Sequence, residues 1–352
     1  MDGTNNPEDD AGISDTCSNF STVSEDSMPP IHAYSHTYHG SGQLMTPNDE
    51  SEARRMALQH KLFQLCLDGG LVDTKLPLEN HTPENPFQIL DIGAGSGIWA
   101  CEMAQLHPQV NILGIDITRA LLPNNVPANV TFEIADVMDP WPPHTYDFIH
   151  MRNLVGGGIR DWQALIARAF AYLKPGGLLE FTENRPRFFD VELEHADLPG
   201  LPAGARPDVG AACREFQAAY AAMCQKEGLD SDPIPNMPGF LSDLGAVSIR
   251  ERSDWLPVKS WGNDPIMRKK GEILGEMMQY SLENASLMLF GKGGWEEKDT
   301  RALLDRVLEE FQDPDLRSTV QVTFITARKP LVPPKSEADD SETTVTKNEH
   351  TD

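Results

Sequence analysis

The residue pattern with the clearest chemical potential is a short glycine-rich segment, Asp91-Ile92-Gly93-Ala94-Gly95-Ser96-Gly97. It overlaps the end of an apolar run at 87–92, which is typical of a buried parallel strand, and it precedes a helix-forming stretch. Glycines at alternate positions allow a tight turn and a close approach of the backbone to a ligand. We therefore predict a ligand-binding loop between the first strand of a sheet and the helix that follows it.

This loop differs from the G-x-G-x-x-G fingerprint of dinucleotide-binding proteins, which places a pyrophosphate at a helix N-terminus. Its third glycine, Gly97, comes one residue early, and the next position is Ile98. The negative charge of Asp91 would also oppose a pyrophosphate. An acidic residue followed by G-x-G-x-G suits a cofactor with a cationic amino-acid end and no phosphate. The cofactor predicted from these residues is S-adenosylmethionine.

Two further acidic residues follow the next two predicted strands. Asp116, with Ile117 beside it, can accept hydrogen bonds from both hydroxyls of a ribose. Asp136 could accept from the amino group of adenine, and Val137 could supply a backbone contact to the ring. The other predicted cofactor-binding residues are Asp91, Gly93, Ala94, Gly95, Gly97 and His150. The alternative is that the three acidic residues only cap helices or fix a turn.

The elements that must position these residues alternate along the chain. Strands are predicted at 87–92, 110–115, 130–134, 146–150, 178–182, 247–252 and 320–327. Helices are predicted at 98–106, 161–173, 211–226, 266–290 and 295–311. Alternation of strands and helices in the first half indicates a parallel sheet with helices on both faces. The predicted fold class is α/β, with a doubly wound, mostly parallel seven-stranded sheet and a terminal antiparallel strand.

The composition excludes several classes of protein. The 352-residue chain has 29 Lys and Arg against 54 Asp and Glu, and its net charge of −25 predicts no direct nucleic-acid partner. No apolar run is long enough to span a membrane, and no secretory signal is recognisable. Five scattered cysteines lack the spacing of a disulfide framework or a zinc site. His32, His36 and His39 have no apparent fourth ligand, so no metal is predicted.

Several other segments give the chain its resemblance to a known family. They are Pro47-Asn48-Asp49 with the helix after it, Ile98-Trp99-Ala100, Asp147-Phe148-Ile149-His150-Met151-Arg152-Asn153-Leu154, Asp161-Trp162, Leu173-Lys174-Pro175-Gly176-Gly177 and Arg328-Lys329-Pro330. Over roughly residues 34–330 the sequence resembles the class I S-adenosylmethionine-dependent methyltransferases, and most closely the fungal LaeA-like group. The resemblance implies a Rossmann-like methyltransferase domain. The sequence departs from the group at Ala94 and Ser96, where threonine is usual, and in lacking Trp and Tyr at 319–322.

We expect one methyltransferase domain between two acidic tails whose composition predicts disorder. The expected bounds are 1–30 and 331–352 for the tails and 31–330 for the domain, which divides into 31–80, 86–182 and 183–330. The middle part is the cofactor-binding core, and the last part holds a substrate-side insertion and the final strands. Asp49 and Glu52 have the form of a capping box at the start of a helix. The resemblance implies that the first part closes over the cofactor through Tyr38 and the 47–60 segment, with ordinary packing of these residues as the alternative.

His150 is the predicted catalytic base as well as a predicted cofactor contact. It ends the fourth strand, and an imidazole has a pKa suited to accepting a proton from an alcohol or an amine. The alternative is a structural imidazole bonded to a loop carbonyl. Glu183 is a second candidate base. Arg152 is expected to pair with Asp147 or Asp161 rather than with a substrate.

Apolar residues of the C-terminal half could line a substrate pocket or belong to the core. They are Trp255, Trp261, Trp295, Met267, Met277, Met278 and Met288. One predicted function is methylation of a small apolar or aromatic molecule in fungal secondary metabolism, in the cytoplasm. The other is a LaeA-like regulatory role in the nucleus through protein partners. The short acidic N-terminal segment and the negative charge favour the enzyme.

Overall fold

A mixed β-sheet lies at the centre of the part of the chain that the structure describes. In this computed structural model those residues are 28–141, 143–185, 188, 210–261, 264–313, 316 and 318–331. The strands are β1 (Ile31–Ala33), β2 (His36–Tyr38), β3 (Phe87–Ile92), β4 (Val110–Asp116), β5 (Val130–Ile134), β6 (Tyr146–Arg152), β7 (Leu173–Asn184), β8 (Val247–Pro257) and β9 (Thr319–Arg328). The helices are α1 (Glu50–Cys66), α2 (Ile98–Leu106), α3 (Trp162–Ala171), α4 (Ala211–Lys226), α5 (Met237–Asp243), α6 (Pro265–Lys292) and α7 (Glu297–Gln312).

The order of strands in the sheet is β5-β4-β3-β6-β7-β9-β8 across the described residues. All pairs from β5 to β7 are parallel, whereas β9 runs antiparallel to both β7 and β8. This confirms the predicted α/β fold class with its antiparallel terminal strand. The chain moves outward from β3 in one direction to β4 and β5 and in the other to β6 and β7. The carboxyl ends of β3 and β6 therefore flank the topological switch point, where α/β proteins bind ligands.

Helix α1 begins as predicted, but only half of the expected capping box forms. The side chain of Asp49 accepts a hydrogen bond from the backbone N–H of Ser51 at 3.1 Å and so caps the first turn. Glu52 does not reach back to the cap. It is fully buried and binds Arg55 and Asn284 instead. The prediction of a full capping box is wrong because the carboxylate of Glu52 is hydrogen-bonded to Arg55 and to the buried Asn284 of α6.

Several element boundaries also differ from the prediction. The prediction of a helix to residue 173 and a strand from residue 178 is wrong, because β7 already begins at Leu173, which pairs with Tyr146 ahead of a register shift. Gly176 permits this irregular start because its φ of +79° is open to glycine. Helix α6 is one continuous helix. The hairpin of β1 and β2 and the short helix α5 were not predicted.

The second half of the chain builds a separate apolar layer against the sheet. Buried side chains of α1, α4, α6, α7 and β9 form one cluster, with Phe63, Phe216, Phe290 and Phe324 among its members. None of the described helices is both long and apolar enough to cross a membrane. The predicted disordered tails lie outside the described residues except at 28–30 and 331. Most of the predicted substrate-side insertion, at 186–187 and 189–209, also lies outside the described residues.

Candidate functional site

The glycine loop turns sharply between β3 and α2. Gly93, Gly95 and Gly97 all have positive φ, at +68°, +58° and +68°, a region that residues with a Cβ atom seldom adopt. The backbone N–H groups of Gly93 and Ala94 donate to the carbonyl of Ile115 at 2.9 and 3.0 Å, which fixes the loop to the end of β4. The alternating glycines are therefore required by the backbone conformation of the loop itself.

Asp116 lies beside this loop at the end of β4. One of its carboxylate oxygens accepts from the N–H of Gly95 at 2.7 Å, and the other accepts from the N–H of Thr118 at 3.1 Å. Burial raises the pKa of Asp116 to about 6, against the opposing effect of these backbone donors. Each oxygen can still accept a second hydrogen bond. The residue can thus serve as the predicted acceptor for two ribose hydroxyls.

Asp136 and Val137 follow β5 and lie further along the same edge of the sheet. A carboxylate oxygen of Asp136 accepts from the N–H of Met138 at 2.8 Å, so the acid also fixes its own turn. The neighbouring wall of the cavity is apolar, with Leu121 and Ala135 among its residues. An adenine ring fits such a wall because it offers an apolar face and a polar edge.

Asp91 and His150 do not face the ligand space. They are register partners on β3 and β6, and His150 Nδ1–H donates to Asp91 Oδ1 at 2.7 Å. The imidazole stacks on Trp99 with ring centroids 3.7 Å apart, and only 2% of His150 is exposed. Burial lowers the pKa of His150, opposed by the carboxylate of Asp91. His150 remains a predicted base, but this geometry gives the imidazole a structural partner and no contact with the cavity.

Arg152 is not paired as expected. It lies over the ring of Phe63, and its guanidinium contacts His60 Nδ1 at 3.4 Å. Asp147 forms an ion pair with Lys174 at 2.7 Å, and the side chain of Asp161 caps α3 by accepting from the N–H of Ala164. The predicted pairing of Arg152 with either acid is therefore wrong.

A cavity of about 300 Å³ opens beside the glycine loop. Six of the predicted cofactor-binding residues line it: Gly93, Gly95, Asp116, Ile117, Asp136 and Val137. The remaining four, Asp91, Ala94, Gly97 and His150, lie outside its wall. The far part of the cavity is lined mainly by apolar side chains of α4 and α6: Phe216, Tyr220, Leu274, Met277, Met278 and Leu282. Of the Trp and Met residues considered for a substrate pocket, Met277 and Met278 line this cavity.

A polar wall joins the two parts of the cavity. Glu183, near the end of β7, is 4% exposed and accepts from the N–H of Val155 at 3.1 Å and from its neighbour Asn184 at 3.0 Å. Burial raises the pKa of Glu183 to about 8, while backbone donors and the charge of Arg55 act in the opposite direction. Asn153 Nδ2 and Asn184 Oδ1 are also buried and have no hydrogen-bond partner among the described residues. A polar ligand atom at this wall would satisfy them.

Helix α1 contributes a buried ion pair to the same wall. Arg55 binds Glu52 through Nε and Nη2, both at 2.8 Å, and Asn284 Nδ2 on α6 donates to Glu52 at 2.8 Å. Ser51 completes the network by donating to Asn284 Oδ1 at 3.0 Å. The sequence placed Glu52 in a capping box and predicted neither its ion pair with Arg55 nor the contact with Asn284. The i,i+3 spacing of Glu52 and Arg55 and the polar Asn284 in an apolar helix were the available signals.

The cavity fits S-adenosylmethionine. The loop brings its backbone close to the ligand space, because Gly93 and Gly95 line the cavity and a Cβ atom added at Gly95 would lie 3.2 Å from the sulfur of Met56. Asp116 offers oxygen acceptors, and the apolar wall beyond it suits adenine. Tyr38, expected in a covering segment, is fully buried and away from the cavity, whereas Pro47, Asn48, Glu52, Arg55 and Met56 line it. Among the described residues, no group of three or more His, Cys, Asp or Glu could hold a metal ion.

The chain is similar in sequence to several known proteins. A family described as "Methyltransferase domain" matches residues 55–230. "Methyltransferase pytC" of Aspergillus terreus is 31% identical over 326 residues, which cover 91% of this chain and 94% of that protein. "Secondary metabolism regulator LAE1" of Cochliobolus heterostrophus is 27% identical over 303 residues, which cover 83% of this chain and 92% of that protein.

One solved structure with a similar fold is Haemonchus contortus phosphoethanolamine N-methyltransferase 2 in complex with phosphomonomethylethanolamine and S-adenosylhomocysteine. It is 17% identical, with a TM-score of 0.41 over 70% of this chain, and the match spans about half (49%) of that structure. The extent of the sequence matches, together with the glycine loop and the strand order, identifies the family. The chain belongs to the class I S-adenosylmethionine-dependent methyltransferases, in the LaeA-like group of fungi.

Proposed function

We propose that this protein methylates a small, largely apolar molecule in fungal secondary metabolism. The observation that carries the proposal is the continuity of the cavity from the glycine loop into the apolar chamber between α4 and α6. A chamber of this kind suits a compact molecule, because most of a small ligand's surface is buried when it binds in a concave apolar site. A protein substrate would instead require an open groove.

The same proposal assigns the cofactor contacts. S-adenosylmethionine supplies an electrophilic methyl group. The backbone at Gly93 and Gly95 would bind its amino-acid end, Asp116 its ribose, and Asp136 with Val137 its adenine. Direct transfer to an acceptor mainly requires alignment and exclusion of water. Arg55 and Met56 of α1, which line the cavity beside the loop, would provide that exclusion.

A regulatory role is the second candidate. It is favoured by the similarity to a protein named as a regulator of secondary metabolism, which extends over 83% of this chain. Such a protein would act in the nucleus through protein partners, and the acidic surface could bind them. The enzyme is preferred because the relative named only as a methyltransferase has the higher identity, 31% against 27% for the regulator. The enzyme would work in the cytoplasm.

Deletion of the gene followed by metabolite profiling separates the two functions. We expect one compound to disappear and the same compound without one methyl group to accumulate. Complementation with the wild-type gene should restore the product, whereas a Gly95→Arg variant, which fills the cofactor loop, should not. Simultaneous loss of several unrelated metabolites together with their transcripts would establish the regulator instead.

A further inference from the structure

Glu183 lies next to the glycine loop although it is far from it in sequence. A Cβ atom added at Gly93 would lie 2.3 Å from Leu154 Cδ2, so Leu154 covers this glycine directly. The next residue, Val155, donates its N–H to Glu183 Oε2 at 3.1 Å. This chain of contacts sets the carboxylate where the cofactor end of the cavity meets the apolar chamber.

Among the described residues, no cation forms an ion pair with the carboxylate of Glu183. The charged or titratable side chains that act on it from the packed elements are Arg55 of α1 and Tyr220 of α4. The guanidinium of Arg55 is already bound by Glu52, which Asn284 of α6 holds from the other side. Arg55 therefore lends positive potential to Glu183 without occupying its oxygens. Backbone N–H groups hold the carboxylate, and its remaining lone pairs can accept a ligand proton.

The charge of this wall also restricts the acceptor. Glu52 and Arg55 compensate each other, and Arg185 is paired with Asp232, so among the described residues of this wall Glu183 is the acid without an ion-pair partner. In its ionised form, which is the form that acts as a base, Glu183 would repel an anionic nucleophile such as a carboxylate. A neutral hydroxyl or amine would instead find a hydrogen-bond acceptor.

We propose that Glu183 is a catalytic residue that accepts the proton of the methyl acceptor, and that the acceptor is a neutral apolar molecule with one O–H or N–H nucleophile. This inference rests on the proposed small-molecule function. A lone pair of the acceptor atom forms the new bond to the methyl carbon, and the electron pair of the broken carbon–sulfur bond stays on sulfur. The acceptor's proton passes to a Glu183 oxygen. The positive sulfonium and the negative carboxylate both become neutral, so charge balances.

Protonation of Glu183 fits this role. Because burial raises its pKa to about 8, the group can both accept and release a proton near neutral pH. Glu180 is a matched comparison on the same strand, since burial also raises its pKa to about 8. Its carboxylate accepts from the N–H groups of Asp73 and Thr74, and it does not line the cavity.

Two cofactor analogues test the proposal without knowledge of the acceptor. Sinefungin carries an amine where S-adenosylmethionine carries its methyl group, and S-adenosylhomocysteine carries nothing there. Calorimetry on the full chain should show that Glu183→Gln weakens sinefungin about tenfold, at a pH about one unit above the pKa of Glu183. S-adenosylhomocysteine should bind with nearly unchanged affinity. Glu180→Gln should leave the ratio of the two affinities at the wild-type value.

Each outcome bears on one proposal. An unchanged affinity ratio in Glu183→Gln, or equal weakening of both analogues, would overturn the assignment of Glu183. Failure of the wild-type chain to bind S-adenosylhomocysteine would instead contradict the cofactor site. The metabolite that accumulates on gene deletion gives an independent check. If the group that stays unmethylated in this metabolite is a carboxylate, the predicted class of acceptor is contradicted.

Discussion

Gly97 is a loop residue at which a side chain would overlap an aromatic ring of the core. It ends the loop in the left-handed region and begins α2, and an added Cβ atom would lie 2.6 Å from Phe132 Cζ. We expect Gly97→Ala to lower the free energy of unfolding by about 2–4 kcal/mol through strain and overlap together. Denaturant unfolding of both proteins would measure the loss.

Gly69 provides the matched control for this substitution. Its φ of +87° is also positive, but an added Cβ atom would have no neighbour within 4 Å. Gly69→Ala should therefore cost only the backbone strain, about 1 kcal/mol. Equal losses of unfolding free energy in the two variants would show that the ring of Phe132 moves to make room for the methyl group and that the loop is not closely packed.

Asp116 is the side chain on which cofactor affinity should depend most. We expect Asp116→Asn to weaken S-adenosylhomocysteine about 10- to 100-fold, because a carboxylate acceptor for two ribose hydroxyls is lost. Calorimetry gives the affinities directly. Asp147→Asn is the control: this acid lies at the opposite end of β6, bound to Lys174, and its loss should leave the affinity unchanged.

The raised pKa of Asp116 predicts a pH dependence of the same affinity. The ionised carboxylate is the better acceptor, and below a pKa of about 6 it becomes protonated. The affinity of the wild-type chain for S-adenosylhomocysteine should thus fall as the pH is lowered through about 6. Asp116→Asn should lack this fall. A pH-independent affinity in the wild type would argue against Asp116 as the ribose acceptor.

At the scale of elements, the pairing of α1 with α6 depends on a buried polar network. Removing Glu52 would leave the guanidinium of Arg55 buried without its partner. We expect Glu52→Ala to lower the free energy of unfolding by about 3–5 kcal/mol. The same two helices are joined at the surface by Arg54 and Glu276, whose side chains are 58% and 46% exposed. Glu276→Ala should cost at most about 1 kcal/mol.

The comparison of these two variants by denaturant unfolding tests where the helix pair gains its stability. Each variant removes one carboxylate that pairs with an arginine of α1, but Glu52 is buried and also binds Asn284 of α6, whereas Glu276 is exposed. Similar losses would contradict the assignment of the Glu52 network as the contact that holds α1 over the cavity. A large loss in Glu52→Ala alone would support it.

For the whole molecule, net charge predicts the behaviour toward nucleic acid. The net charge of −25 should repel the phosphate backbone, most strongly at low salt. We expect no saturable binding of a labelled DNA duplex by fluorescence anisotropy, even at low salt. Binding that saturates and weakens with added salt would reveal a basic face that the net charge conceals, and would favour a regulatory role.

Local sequence determined the cofactor half of the site. Alternating glycines and an apolar run predict the β3–α2 loop, and an acid at the end of each following strand predicts Asp116 and Asp136, since parallel strands bring their carboxyl ends to one edge. These signals are readable because each depends on the conformation of a few consecutive residues. The fold class followed from the same periodicity, and the structure confirms it.

Only the tertiary structure decided which side chains face the cavity. Asp91 and His150 are register partners on adjacent strands, and this pairing turns them to each other instead of to a ligand. Glu52 and Asn284 are separated by 232 positions and meet only because α1 packs on α6. Strand register and helix packing arise from the burial of many residues at once. No local pattern encodes them, so the sequence could name Glu183, Met277 and Met278 only as candidates, and the folded chain decided that they line the cavity.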